Sequence, residues 1–269
     1  MNQDLQRGAI AVPNRAFDSA AIQTDVVSNL ARDLLPFVTA VETDDPAVGE
    51  ALERLRAWDG TMAADAPEPL LFSAWYRQLS AALLEDELGA YGDAIGRGRP
   101  RVVTEILETE SPWCDDVRTE PVEDCSAIIT RALMDALDEL QATYGEPESW
   151  RWGEAHRAVM GHPLLGGVPL VGWLFGIEVP TGGDGSTIDV GHFSMTPGAS
   201  FANDHAASFR GLYDLADLAN SRFVAPTGQS GHPLSAHYDD LSALWAAGRT
   251  IRIDGGAGGG RLELVPAGR

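Results

Sequence analysis

Three stretches decide how this chain reads: GGDGST (182–187), SFRGLYDLAD (208–217) and PTGQSGHPLSAHYDDLSALWAAGR (226–249). In each, Gly, Pro, Asn or Asp punctuates short runs of strand formers, a pattern of brief strands joined by turns. Working outward, WRWGEAHRAV (150–159), IDVGHFSM (188–195), SFRGLYDLA (208–216) and RFVAPTG (222–228) read as strands, and YDDLSALWAAG (238–248) as a short helix. A free-standing set of strands over 150–228 would leave unpaired edges, which proteins avoid. These strands are therefore expected to complete a sheet begun by other residues.

Before residue 150 the period changes to that of a helix. Asp18 or Ser19 is placed to cap a helix running to about Val41, with Ile22, Val26, Leu30 and Leu34 on one face and Pro36 kinking or ending it. A second helix is predicted over 46–58, stopping at Asp59-Gly60, and a third over 67–88 with Leu71, Trp75, Leu79 and Ala82 on one stripe. A short helix spans about 100–109. A fifth follows Pro121 and runs to Tyr144, with Ile128, Ala132 or Leu133, Leu137 and Leu140 inward, and Gly145 ends it. Helices followed by strands define an α+β class. The predicted organisation is a mainly helical segment 1–149, a strand-rich segment 150–254 and a loose Gly-rich tail 255–269. No internal repeat is visible.

Composition bounds the function. The 269 residues carry a net charge of −21, which excludes a phosphate-backbone partner needing clustered basic groups. All 19 basic residues are Arg. Without lysine there is no Schiff base, Ser–Lys dyad or Walker A loop. No stretch approaches the roughly 18 apolar residues of a membrane span. The N-terminal MNQDLQRGAIAVPNRAF lacks the charged and apolar regions of a signal peptide, so the chain as written is expected in the cytoplasm.

The individual motifs favour structural roles. GQSG (228–231) lacks the fifth Gly of a nucleophile elbow, because His232 stands there. Ser230, His232 or His237, and Asp239 or Asp240 lie too close in sequence to converge from separate elements as a triad, so this segment reads as a loop leading into a helix. GGDGST has glycines like a phosphate cradle but no lysine and no following long helix, and reads as a turn before a strand. His156, in WGEAH, and His162, in GHP, read as hydrogen-bonded structural histidines, and no pair of histidines has zinc spacing. Asp44-Asp45, Asp115-Asp116 and Asp239-Asp240 read as solvated or capping groups, with too few converging oxygens for calcium. Ten residues lie between Cys114 and Cys125. A disulfide closes such a loop easily and two buried free thiols are the alternative; the residues alone leave both open.

The C-terminal stretches resemble the end of the β chain of the penicillin acylase family, which are N-terminal-nucleophile hydrolases. AFDSAAIQTDVVSNLARDLLP (16–36), ALERLRAWDGTMAADAPEPLLFSAW (51–75), the Trp-Gly-x-x-His and His-Pro-Leu pieces at 152–164, and GQSGHP…HYDD are similar to that family's segments. The resemblance implies that the strands complete an αββα sandwich. It implies that Cys114 and Cys125, in a Trp-Cys-Asp-Asp…Cys pattern similar to that of exported members, form a disulfide in an oxidising compartment, periplasmic or extracellular for the complete enzyme. Such enzymes attack linear amides with an N-terminal Ser whose own amino group is the base, and an Asn side chain joins backbone N–H groups at the oxyanion. No position here matches either residue, so no catalytic residue is carried over. Asp214 stands where the cephalosporin acylase branch has a carboxylate that orients a histidine; its other reading is an Asp in a strand-end turn. The family often binds calcium through segments absent here, so no cofactor is expected in this chain.

The expected partner is the remaining N-terminal part of the acylase, its α chain and the start of β. The expected function is that of the C-terminal portion of an amidohydrolase acting on N-acyl compounds such as β-lactams or acyl-homoserine lactones, inactive alone. The alternatives are a stand-alone non-catalytic relic or binding module, and an independent enzyme built on Ser230.

Overall fold

The computed structural model describes residues 16–91, 98–168 and 171–253, and the predicted Gly-rich tail lies outside them. In chain order the helices are α1 (Ala16–Gln23), α2 (Asn29–Thr39), α3 (Pro46–Ala57), α4 (Glu68–Leu88), α5 (Pro100–Glu108), α6 (Cys125–Tyr144), α7 (Trp152–Ala155), α8 (Val171–Phe175) and α9 (Ser242–Ala246). The strands are short: β1 (Arg157–Met160), β2 (Ile177–Pro180), β3 (Gly191–His192), β4 (His205–Ala206), β5 (Arg210–Leu212), β6 (Arg222–Val224) and β7 (Ile251–Arg252). The described residues form two compact units, one within Thr24–Ala206 and one joining α1 to the chain from Ala207 onward.

The first unit is built on α4. The predicted one-sided stripe is only part of its buried surface. Pro69–Leu71, Phe72, Ser73, Trp75, Tyr76, Arg77, Leu79, Ser80 and Leu83 are all buried, so the helix is enclosed on nearly every side. A helix apolar around its circumference belongs at the centre of a bundle. It packs along α6, which contributes Ile128, Ile129, Ala132, Leu133, Ala136 and Leu140. The caps are local chemistry. Asp45 accepts from Ala47 N and Val48 N at 2.8 and 3.2 Å, with Pro46 in the first turn of α3. Asp124 caps α6 through Ala127 N, and Gly145, at φ +76°, ends it.

The predicted helix from Asp18 to Val41 is two helices. Between them Thr24–Ser28 is not helical: Val27 bridges to Thr61, and Ser28 N and Met62 N donate to Gly60 O and Val26 O. Ser28, not Asp18 or Ser19, caps α2, accepting from Ala31 N at 3.1 Å. Pro36 does not end that helix, because Leu34 and Val38 on either side of it are buried in the core.

The segment 150–159 is also corrected. A helical turn, α7, precedes β1, and its geometry places Trp152 and His156 one above the other, rings stacked at 4.2 Å. In a strand, residues four apart would lie roughly 13 Å from one another. Trp152 N and Gly153 N donate to Ala66 O and Ala64 O, which fixes the turn. β1 pairs antiparallel with β2, Arg157 opposite Pro180 and Met160 opposite Ile177. β3 pairs with β4, Gly191 opposite Ala206.

One charge is sealed inside this unit. Arg77 is fully buried, ion-paired to Glu139, donates to Ala199 O at 2.8 Å and lies 3.7 Å from the centre of the Phe201 ring. Asp116, expected to be solvated or capping, is buried and paired with Arg118 at 2.8 Å and Arg131 at 3.5 Å. Its carboxyl is held down to about 2, chiefly by the hydrogen bond from Arg118. Cys114 and Cys125 form a disulfide that anchors the loop before α6.

In the second unit β5, β6 and β7 form a three-stranded antiparallel sheet in that order. Trp245 of α9 is buried; its Nε1 donates to Ala207 O at 2.8 Å, and its carbonyl accepts from Arg210 at 2.7 Å.

Arg77→Ala removes one partner of a buried pair and strands Glu139, so it is expected to cost about 3 kcal/mol of unfolding free energy. Replacing both cysteines by Ser is expected to cost roughly 2–3 kcal/mol. Urea unfolding followed by circular dichroism checks both, and losses under 1 kcal/mol would contradict the roles assigned here.

Candidate functional site

The polar groups of the first unit converge on the loop 182–191. Gly183, at φ +82°, makes a turn that a side chain would strain, and its N–H donates to Met62 O. Its carbonyl accepts from Trp152 Nε1 at 3.0 Å. Asp184 N donates to Thr187 Oγ1 at 3.0 Å, and Gly191 N donates to Asp184 O at 3.0 Å. The Asp184 carboxylate accepts from Ser28 Oγ at 2.6 Å and from Ser186 N at 2.7 Å. It is buried, and that burial raises its pKa.

Beside this loop is a cavity of about 170 Å³, lined by Leu30, Phe72, Tyr76, Asp184, Phe193 and Met195, with Ser73, Ser186 and His192 also in its wall. Ser73 Oγ and Tyr76 Oη are buried and have no hydrogen-bond partner among the described residues. Burial pushes the Tyr76 phenol up, so it stays protonated.

A second cluster surrounds His156, whose ring stacks on Trp152. His156 Nδ1 is 2.7 Å from Phe201 O; a carbonyl only accepts, so Nδ1 carries the proton and donates. Nε2 is then bare and has no partner among the described residues. Gly191 packs against it, and an added Cβ there would lie 2.5 Å from Nε2. Thr181 Oγ1 donates to His156 O at 2.7 Å and accepts from Asn203 Nδ2 at 3.1 Å. Desolvation pushes the His156 imidazole down to about 4. Its protonated form would bury an unpaired charge, so this is a neutral structural histidine.

The positions singled out in the sequence are dispersed. Ser230 Oγ accepts from His232 N at 3.1 Å, while His237 pairs with Asp240 at 2.8 Å, so Ser230 is hydrogen-bonded to neither imidazole. His162 Nδ1 accepts from Leu164 N and Leu165 N, each at 3.1 Å. Asp214 lies at the end of β5, where Oδ1 accepts from Ala216 N and Asp217 N at 3.0 and 3.1 Å, closing a turn. Sequence reading missed the convergence of Ser73, Tyr76 and Asp184. Its one local trace is a Ser and a Tyr three residues apart within a helix otherwise rich in apolar residues.

The geometry defines a mixed helix-and-strand chain with a polar loop sealed by aromatic rings. The family model for penicillin amidase matches residues 12–256, and the chain belongs to that family. It is 29% identical over 247 residues to an acyl-homoserine lactone acylase of Pseudomonas syringae pv. syringae, covering 84% of this chain and 29% of that protein. It is 28% identical over 232 residues to penicillin acylase 2 proenzyme of a Pseudomonas species, covering 85% and 30%. A solved thermostable penicillin G acylase from Alcaligenes faecalis aligns with 91% of this chain and 48% of its own, at 17% identity and a TM-score of 0.46. The chain thus spans about three tenths of the length of these curated relatives.

His156 gives a pH signature. Its folded value lies below the ordinary 6.5, so between 6.5 and about 4 the unfolded chain holds a proton there that the folded chain does not. That stability is present above 6.5 and falls as pH drops to about 4, by roughly 3 kcal/mol in all. His156→Gln, which keeps a donor but does not titrate, should flatten this part of the stability–pH curve. Equal slopes in the two proteins from pH 7 to 4 would refute the assignment.

Proposed function

We propose that this chain supplies the C-terminal part of a penicillin amidase-type amidohydrolase, whose complete form hydrolyses the linear amide of N-acyl compounds such as β-lactams or acyl-homoserine lactones. The observation that carries the reading is the family match over residues 12–256 in a chain spanning about three tenths of its relatives' length. The surface supports it. β1 and β2 form a two-stranded ribbon, an arrangement marginal by itself; the outer edge of β1 meets only Asn203, in a single bridge, and that of β2 has no strand partner among the described residues. Next to it Leu164, Trp173 and Leu174 are 84%, 82% and 64% exposed. In the second unit Tyr213, Leu215 and Leu218 are exposed as well. Apolar side chains standing out this far, beside an open strand edge, mark surfaces that meet further chain.

On this reading the N-terminal part of the enzyme adds strands to the open edge of β2 and completes the αββα sandwich. It also brings the N-terminal Ser nucleophile and its oxyanion donors. The present chain contributes the helical support and the sealed loop beneath the sheets. The Cys114–Cys125 disulfide fits maturation in an oxidising compartment such as the periplasm. No described helix is long and apolar enough to cross a membrane.

Purified alone, the chain is expected to release no amine from a phenylacetyl amide or an N-acyl-homoserine lactone. Mixed or co-expressed with an N-terminal acylase portion whose β segment begins with Ser, it should form a complex and hydrolyse at least one of them. Hydrolysis by the chain alone, or a monomer with cooperative unfolding that ignores the N-terminal portion, would reject the proposal; the second result favours a stand-alone relic.

A further inference from the structure

The cavity beside α4 holds a buried carboxylate with no cationic partner. Asp184 is buried in its wall, and its hydrogen bonds come from a hydroxyl and a backbone N–H. No basic side chain lies within ion-pair distance of it among the described residues. A carboxylate removed from water without a cation is costly unless something compensates it. The neighbouring walls are aromatic: Phe72 and Tyr76 stack at 6.3 Å, and Phe193 lines the same space. Ring faces attract cations, most strongly where water is excluded. Two further oxygens, Ser73 Oγ and Tyr76 Oη, are unpartnered and more than nine-tenths buried in that wall.

Each alternative ligand class fits less well. An anion would face Asp184 in a chain of net charge −21. A phosphate group would meet a single basic side chain in the described wall, His192, whose imidazole is already paired with Asp204 at 3.1 Å. A purely apolar ligand would leave the carboxylate without a counter-charge and both hydroxyls without partners. Water fills polar cavities readily, and about 170 Å³ is many times the ~10–15 Å³ that one molecule needs. Water alone, however, gives no reason for the ring-lined side.

We propose that the cavity formed by Phe72, Tyr76, Asp184 and Phe193 binds a small organic cation, an alkyl- or arylammonium. The ammonium donates to the Asp184 carboxylate and to the oxygens of Ser73 and Tyr76, and the hydrocarbon part lies against the two Phe rings, Leu30 and Met195. The negative potential of the whole chain concentrates such cations near the site. This inference does not rest on the amidase reading, because every group it uses belongs to one compact unit of this chain.

The test is calorimetric titration of the 269-residue chain with benzylammonium at pH 7, beside its neutral analogue benzyl alcohol and the anion benzoate. Benzylammonium should bind about tenfold tighter than benzyl alcohol, equivalent to about 1.4 kcal/mol, and benzoate should not bind. Asp184→Asn keeps the shape and the acceptor for Ser28 and should abolish the preference for the cation. Tyr76→Phe keeps the ring and should weaken benzylammonium severalfold while leaving the thermal midpoint within a few degrees. Absent binding, equal binding of the alcohol, or binding that neither variant alters would overturn the proposal. If Asp184→Asn does not fold, the cation–alcohol ratio and the Tyr76→Phe titration decide it. Catalysis of N-acyl hydrolysis is not measured here, so failure of the amidase reading would not be mistaken for failure of this one.

Discussion

One hydroxyl ties the larger unit together. Ser28 Oγ accepts from Ala31 N, starting α2, and donates to the buried carboxylate of Asp184 at 2.6 Å, 156 residues away in the chain. A serine hydroxyl has one donor and two acceptor positions, so it can cap and clasp at once. Through Asp184 the link reaches Thr187 and Gly191, and through Gly183 it reaches Trp152 and Met62. The helical bundle and the strand-bearing loops therefore share one polar joint, closed off from water by aromatic rings. Losing the hydroxyl would leave both a helix terminus and a buried carboxylate short of a partner, and unsatisfied buried groups are among the costliest defects a fold can carry.

The second organising device is Arg77. An α4 enclosed on all sides would be expected to carry only apolar groups, yet it holds a guanidinium at its centre. The charge is neutralised by Glu139 of α6, its planar face covers Phe201 and one arm reaches Ala199 O. A lysine could not satisfy these three geometries together. In a chain whose basic residues are all Arg, this position shows one structural use of that preference.

Much of the fold was legible in the sequence. The helices α3, α4, α5 and α6 lie within two or three residues of the predicted spans, because their stops are chemical: Gly89 and Gly145 adopt positive φ and Asp45 and Asp124 cap. The motif resemblance pointed to the penicillin amidase family, to which the chain belongs, and to the Cys114–Cys125 bridge. The misreadings share one cause. The periodicity of Ile22, Val26, Leu30 and Leu34 is continuous, but hydrogen bonds from Ser28 and Met62 across the 24–28 and 60–62 segments break the helix. The segment 150–159 reads as a strand, but donors at Trp152 and Gly153 meet carbonyls at Ala66 and Ala64 and wind it into a turn.

By itself the sequence determined the family, the α+β class, the negative net charge and the ends of α3 to α6, since those depend on composition, spacing and local capping. Only the tertiary structure decided that Asp184, read as one residue of a glycine-rich turn, is a buried carboxylate joined to Ser28 and set beside Ser73, Tyr76 and two Phe rings. It also decided that His156 stands neutral with a bare Nε2 and that the Asp214 carboxylate accepts from Ala216 N and Asp217 N in a turn. Residues more than a hundred positions apart share no local pattern. Their chemistry follows from which of them the packed core removes from water together.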